Sequence, residues 1–151
     1  MGNPLKLGLY NYRFGAIAAG ISITFSLMLF FMDMTYNQSS IIQSIQMIIP
    51  AALAIIAILS FKRDNNNFLS IKQALKISVG VYLITAIIGL FYFAFFINVI
   101  ETDFITNTAE LQAEALRLSQ PGLSEDIIKM QQENTEKFFY VSFPFILVIN
   151  I

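Results

Sequence analysis

Side chains able to do chemistry are few in this chain. Its 151 residues include no histidine and no cysteine, so the commonest general base, the commonest metal ligand and the thiolate nucleophile are all missing. Carboxylates remain. Glu101 and Asp103, with Asp33 expected at the same outer surface, are oxygen donors of the kind that hold a divalent cation or exchange protons. Residues two apart do not share a helix face, however, and no further oxygen ligand is identified for them, so a solvated acidic loop is the expected reading. Met28, Met32 and Met34 are soft donors, but with no cysteine or histidine to complete a set they read as core packing. Seven scattered glycines form no phosphate loop, and nucleotide binding has no support. The expectation is a protein that is not an enzyme, with no catalytic, cofactor-binding or metal-ligating residue.

Amides and hydroxyls in apolar surroundings are the second kind of candidate. Gln43, Gln46, Asn98 and Thr85 have the chemistry to line a wet path between helices, with Ser44 beside the two glutamines. Hydrogen bonding within a bundle uses the same groups, and that is the expected role. A coupled carrier needs an ionisable group at membrane depth, and the apolar stretches described next contain none.

The element that positions everything else is Ile77–Ile100, 24 residues without a charge, opened by Lys76 and closed by Glu101. At about 1.5 Å per residue such a helix is roughly 36 Å long, enough to cross a hydrocarbon core of about 30 Å with some tilt. Its 15 Ile, Leu, Val and Phe residues outweigh Ser78, Thr85 and Asn98. Composition agrees: 56% of the chain is hydrophobic and 13% charged, too little polar surface to cover a water-soluble domain. Charge is segregated. Six of the nine basic residues precede Ile77, and eight of the ten acidic ones follow Ile100. Such segregation orients a protein in a membrane and does not point to nucleic acid.

Residues 14–32 read as the first span, following Lys6 and Arg13. A secretory signal shares a basic start, but this apolar stretch exceeds a signal core and lacks a small-residue cleavage site, so it reads as a signal anchor. Gly15, Ala16, Ala18, Ala19 and Gly20 allow close helix approach, expected as ordinary packing within one bundle. The second span is expected at 41–61, after a short turn, with a kink where Pro50 leaves the Gln46 carbonyl without its usual partner. A basic loop from Lys62 to Lys76 follows, including a short amphipathic helix from Phe68. Because basic residues are retained in the cytoplasm, this loop and the N-terminus are expected inside.

Residues 101–137 carry eight acids against Arg117, Lys129 and Lys137, a net charge of −5. An outer helical hairpin is expected. Asn107 and Glu110 suit a capping box for its first helix, on which Leu111, Ala115 and Leu118 share a face. Gln120, Pro121 and Gly122 break that helix. Ser124 suits the cap of a second helix, with Leu123 and Ile128 spaced as a hydrophobic staple, and this helix runs on into a fourth span at 138–151. Fourteen residues reach only about 21 Å, so that span is expected to be truncated at the chain end.

Three stretches together resemble a bacterial membrane family known as domain of unknown function 4199. They are Phe68-Leu-Ser-Ile-Lys-Gln-Ala-Leu-Lys76, the segment from Asn98 through Thr102-Asp103-Phe104-Ile105, and Gly122-Leu-Ser-Glu-Asp-Ile-Ile128. The resemblance covers nearly the whole chain. It implies a four-helix integral membrane protein of the bacterial inner membrane, and no activity, cofactor or catalytic residue.

The fold expected is therefore an all-α bundle of four transmembrane helices forming a single domain, with an extracytoplasmic hairpin between spans 3 and 4. Its partners are the lipid bilayer and either another membrane protein or further copies of itself, with no nucleic acid. Two functional classes follow: a non-enzymatic accessory or scaffold protein acting through the hairpin face Leu111, Ala115 and Leu118, or a small oligomeric channel using Gln43, Gln46 and Asn98. A subunit of an envelope lipid or glycan assembly enzyme is a third.

Overall fold

The computed structural model describes the backbone of residues 4–37 and 39–149, and the side chains of 7–37, 39–139 and 141. Among the described residues there are five α-helices and no strand: α1 (Pro4–Phe31), α2 (Ser40–Asp64), α3 (Ile71–Phe95), α4 (Phe104–Ser119) and α5 (Glu125–Ile149). A single π-helical turn, Phe96–Ile100, continues α3. Among the described residues, three stretches are long and apolar enough to cross a membrane: Leu7–Phe31, Ser40–Asp64 and Ile71–Ile100.

Helix ends explain where these elements differ from the apolar stretches that announce them. α1 starts at Pro4, not near residue 14, because proline is tolerated in a first turn whose N–H groups lack intrahelical acceptors. Arg13 thus lies inside the helix, exposed, where a long side chain can carry its charge away from an apolar surface. At the other end Asp33 adopts φ 54°, Met34 N–H donates to the Leu29 carbonyl at 2.9 Å and Asp33 N–H to Phe30 at 3.1 Å. This is a Schellman motif with aspartate in the left-handed position. Asp33 thus has a conformational role through its backbone. α2 ends the same way: Asn66 has φ 54°, and Asn67 N–H donates to the Lys62 carbonyl at 2.9 Å. Asparagine tolerates this conformation better than most residues.

α2 is opened by Ser39, whose hydroxyl accepts from Ile42 N–H at 3.4 Å, and it continues as one helix through Pro50. Lys62 and Arg63 in its last turn meet the negative end of the helix dipole. The separate amphipathic helix expected from Phe68 is not formed. A reciprocal capping box sets the start of α3 instead: Ser70 N–H donates to Gln73 Oε1 at 2.9 Å, and Gln73 N–H to Ser70 Oγ at 3.3 Å. Nothing between Lys76 and Ile77 interrupts the helix, so the basic segment shrinks to a short turn between two helix ends.

The chain forms two compact units, residues 1–92 and 93–151. In the first, α1 and α2 are antiparallel neighbours, and α3 runs parallel to α1. Their core joins Ala54, Ala57 and Phe61 of α2 to Ile77 and Val81 of α3, with Leu7, Tyr10 and Phe14 of α1 packed against it. Gly15, Ala18 and Ala19 are buried on α1 while Ala16 and Gly20 are exposed, so the small residues serve helix approach within this unit.

In the second unit α4 and α5 are antiparallel and meet through Ile105, Ala109 and Ala113 on one side and Ile128 on the other. Phe104 lies edge-on to Phe93 and to Phe96, at 5.8 and 5.7 Å between ring centroids. α4 begins at Phe104, three residues before the expected cap. Its N-cap position is Asp103, which makes no side-chain capping bond, and Asn107 lies in the first turn with its N–H on the Asp103 carbonyl. α4 stops at Ser119 before Pro121, and α5 begins directly after Ser124. α5 runs unbroken to Ile149, carrying most of the expected fourth span, whose residues 150 and 151 lie outside the described residues.

Candidate functional site

Arranged polar chemistry occurs in both units. In the first unit it lies at the end where α1 starts, α2 stops and α3 starts. Tyr10 donates a hydrogen bond to Asp64 Oδ2, stands edge-on to Phe61 at 5.4 Å and stacks on Phe14 at 6.3 Å. One residue on, Asn11 Nδ2 donates to the Lys76 carbonyl at 3.4 Å, and the amide lies flat against Gly80, where any Cβ would displace it. The Asn11 Oδ1 atom is buried with no hydrogen-bond donor. These contacts hold three helix ends together. They also collect Arg13, Lys62, Arg63, Lys72 and Lys76, all exposed, at one end of the unit. Asp64 is the only acid there: it accepts from Tyr10 and lies 3.6 Å from Arg63 Nε. The result is a ring of positive charge around an apolar three-helix body.

Higher in the same unit, hydroxyl groups tie α1 to α3. Thr85 Oγ1 donates within 2.8 Å of the Val81 carbonyl and 3.1 Å of the Gly15 carbonyl, and Tyr92 donates to Ser26 Oγ at 3.2 Å. Thr85 therefore serves helix association. Gln43, Ser44 and Gln46 are exposed on α2, and Ser44 Oγ donates back to the Ser40 carbonyl at 2.7 Å. They form no internal polar path in this unit. Asn98 is also exposed, and its Nδ2 donates to the Ala94 carbonyl at 2.7 Å, within the stretch where helical bonding changes register. Among the described residues no three acidic side chains converge as a metal site would require.

In the second unit α4 carries two apolar faces. Ile105, Ala109 and Ala113 are buried toward α5. Leu111, Ala115 and Leu118 are exposed, Leu118 by 80%. At about 100° per residue the two faces are centred about 150° apart. The Leu111, Ala115 and Leu118 stripe thus points away from the second helix, because alanines, not leucines, let α5 approach closely. Beside the α4–α5 seam a cleft of about 460 Å³ is lined by Gln112, Gln131, Asn134, Thr135 and Phe138 among others, and Thr135 donates to Gln112 Oε1 at 3.3 Å.

The turn between these helices is clasped by a two-point ion pair, Arg117 Nε to Glu125 Oε1 at 3.2 Å and Nη2 to Oε2 at 2.8 Å. Hydrogen bonding from the guanidinium holds the Glu125 carboxyl below its ordinary 4.5, and the same contact raises Arg117. A lowered carboxyl stabilises the fold fully above its unfolded pKa and loses that contribution as the pH falls through the folded one. The clasp is exposed, so the contribution is small. Glu125→Gln is expected to lower the unfolding temperature slightly at neutral pH and to leave it unchanged well below pH 4.5, where the native carboxyl is itself protonated. An equal loss at both pH values would show that the clasp contributes nothing through its charge.

Tyr10, Asn11, Asp64 and the Ser70–Gln73 box were not singled out by sequence reasoning. Ser-x-x-Gln before an apolar helix is a readable signal for the box. A tyrosine and an asparagine in adjacent positions of an apolar helix are a weaker signal for an interhelical contact.

No curated protein and no solved structure matches the chain. The match that exists is to a family: residues 13–151 agree with the one described as "protein of unknown function (DUF4199)", and the chain belongs to it.

Proposed function

We propose that this is a four-span protein of the bacterial inner membrane, N-terminus in the cytoplasm, acting as a non-enzymatic accessory or scaffold through an extracytoplasmic α4–α5 hairpin. The observation that carries this reading is the exposed face Leu111–Ala115–Leu118, which α5 leaves uncovered. An apolar stripe on an acidic helix has little affinity for anionic lipid, so a protein surface is the better cover. The basic end formed by α1, α2 and α3 suits the cytoplasmic side, and the acidic segment the opposite one.

Single cysteines at Phe68, exposed in the α2–α3 turn, and at Gln120, exposed after α4, test the topology. In intact cells an impermeant thiol reagent is expected to label Gln120→Cys and to spare Phe68→Cys; the reverse pattern overturns the orientation. Leu111→Ser with Leu118→Ser is expected to abolish co-purification of a stoichiometric partner while leaving membrane insertion intact. If the double variant keeps its partner and its function while Gln43→Ala or Gln46→Ala removes both, the hairpin reading fails. The site would then lie on the exposed amides of α2, as an oligomeric channel requires.

A further inference from the structure

A continuous groove runs down the seam between α1 and α3 on the face away from α2. Near the basic end it opens as a cavity of about 530 Å³ lined by Leu7, Gly8, Leu75, Lys76 and Val79 among others. It continues past Asn11 and Gly80 into a second cavity of about 470 Å³, walled by Ala16, Leu83 and Ile87 among others, and ending at Ile88. From Lys76 to Ile88 the groove follows α3 for about 18 Å, slightly more than half of a hydrocarbon core of about 30 Å, or one leaflet. Apart from Asn11 and Tyr12, the walls beyond Lys76 are apolar along that length. Positive charge stands at the one end that would reach the membrane surface: Lys76 on the rim, with Lys72 one turn earlier on the same face. Neither lysine makes an ion pair among the described residues. Leu75, Val79 and Leu83 are exposed along the opening, so the groove is accessible from the side.

We propose that this groove binds one anionic phospholipid from the leaflet bordering the basic end, its phosphate on Lys76 and Lys72 and one acyl chain in the α1–α3 seam. Charge alone would be satisfied by free phosphate, but an apolar channel one leaflet long is matched only by an acyl chain. An accompanying feature is the glycine at position 8. No atom lies within 4 Å of where its Cβ would be, so Gly8 contributes space to the groove and nothing to helix packing. Gly80, by contrast, is in contact with Asn11 and is needed for the seam itself.

Native mass spectrometry of the detergent-solubilised protein, titrated separately with phosphatidylglycerol, phosphatidylcholine and inorganic phosphate, tests the proposal. One phosphatidylglycerol per chain is expected to be retained in preference to phosphatidylcholine, with no adduct of inorganic phosphate. Lys76→Gln is expected to reduce that preference about fivefold, the effect of one basic group at a lipid surface. Gly8→Leu keeps every charge and projects into open space, so it is expected to fold normally, checked by its unfolding temperature, and to lose retention of both lipids. Lys62→Gln, at the same end but away from the groove, is expected to change nothing. Equal loss in Lys62→Gln and Lys76→Gln would reduce the site to general surface charge, and full retention by Gly8→Leu would show that no acyl chain occupies the seam. Either result overturns the proposal.

Discussion

Gly15→Leu is expected to be the most damaging single substitution in the three-helix unit, costing about 3 kcal/mol or more, the upper part of the range for overpacked cores. A Cβ at position 15 would sit 2.8 Å from Ile84 Cβ, 2.9 Å from its Cγ2 and 3.1 Å from the Val81 carbonyl oxygen. Two of these atoms are backbone or one bond from it, so no rotamer change relieves the clash and the helices must separate. Separation also breaks the contact of Thr85 with the Gly15 carbonyl. Thermal unfolding in micelles, followed by helical circular dichroism, measures the loss. Gly15→Ala tests the cause: its destabilisation should be relieved in part by Ile84→Ala, because residues in contact couple and distant ones do not. A neutral Gly15→Ala, or one insensitive to Ile84, would mean that the two helices do not approach this closely.

Phe61→Ala carries the second largest expected effect. Phe61 is 2% exposed and meets Tyr10 edge-on, in the same cluster as Ile77 and Val81, so it touches all three helices that make the unit. In a water-soluble core such a truncation costs about 3–5 kcal/mol. The loss here is expected at about 2–3 kcal/mol, since the unpacked helix faces lipid and the transfer contribution shrinks, leaving the cavity and the lost dispersion contacts. Phe61→Leu should recover most of it. Tyr10→Phe, which removes the hydrogen bond to Asp64 but keeps the ring, should cost less than Phe61→Ala. If Tyr10→Phe is the more damaging of the two, polar bonding and not packing holds this end together.

Membrane character, helix type and the approximate middle of each long helix were legible in the sequence, because runs such as Ile77–Ile100 satisfy length and hydropathy at once. Helix ends were less so. Charge was read as a boundary at Arg13 and Lys76, whereas the real boundaries are conformational: proline at a first turn, Asp33 and Asn66 in left-handed positions, and a Ser-x-x-Gln box. A long basic side chain does not stop a helix. Which face of α4 meets α5 was not legible either. Leucines mark where hydrophobic area is greatest, but two helices approach closest where side chains are smallest, so Ala109 and Ala113 are buried and Leu118 is not. The Tyr10–Asp64 and Asn11–Lys76 contacts join residues 54 and 65 positions apart, and only the packing of three helices shows that they meet.

The π turn at Phe96–Ile100 has a consequence for chain length. Glu101 N–H donates to the Phe96 carbonyl at 2.8 Å, five positions back, so this turn holds one residue more than an α-helical turn would. Removing one residue anywhere in Phe96–Ile100 would convert it to a plain α-helical turn, while the same deletion elsewhere in α3 would break a regular stretch. A one-residue deletion within Phe96–Ile100 is therefore expected to cost less stability than the same deletion on either side of it in α3.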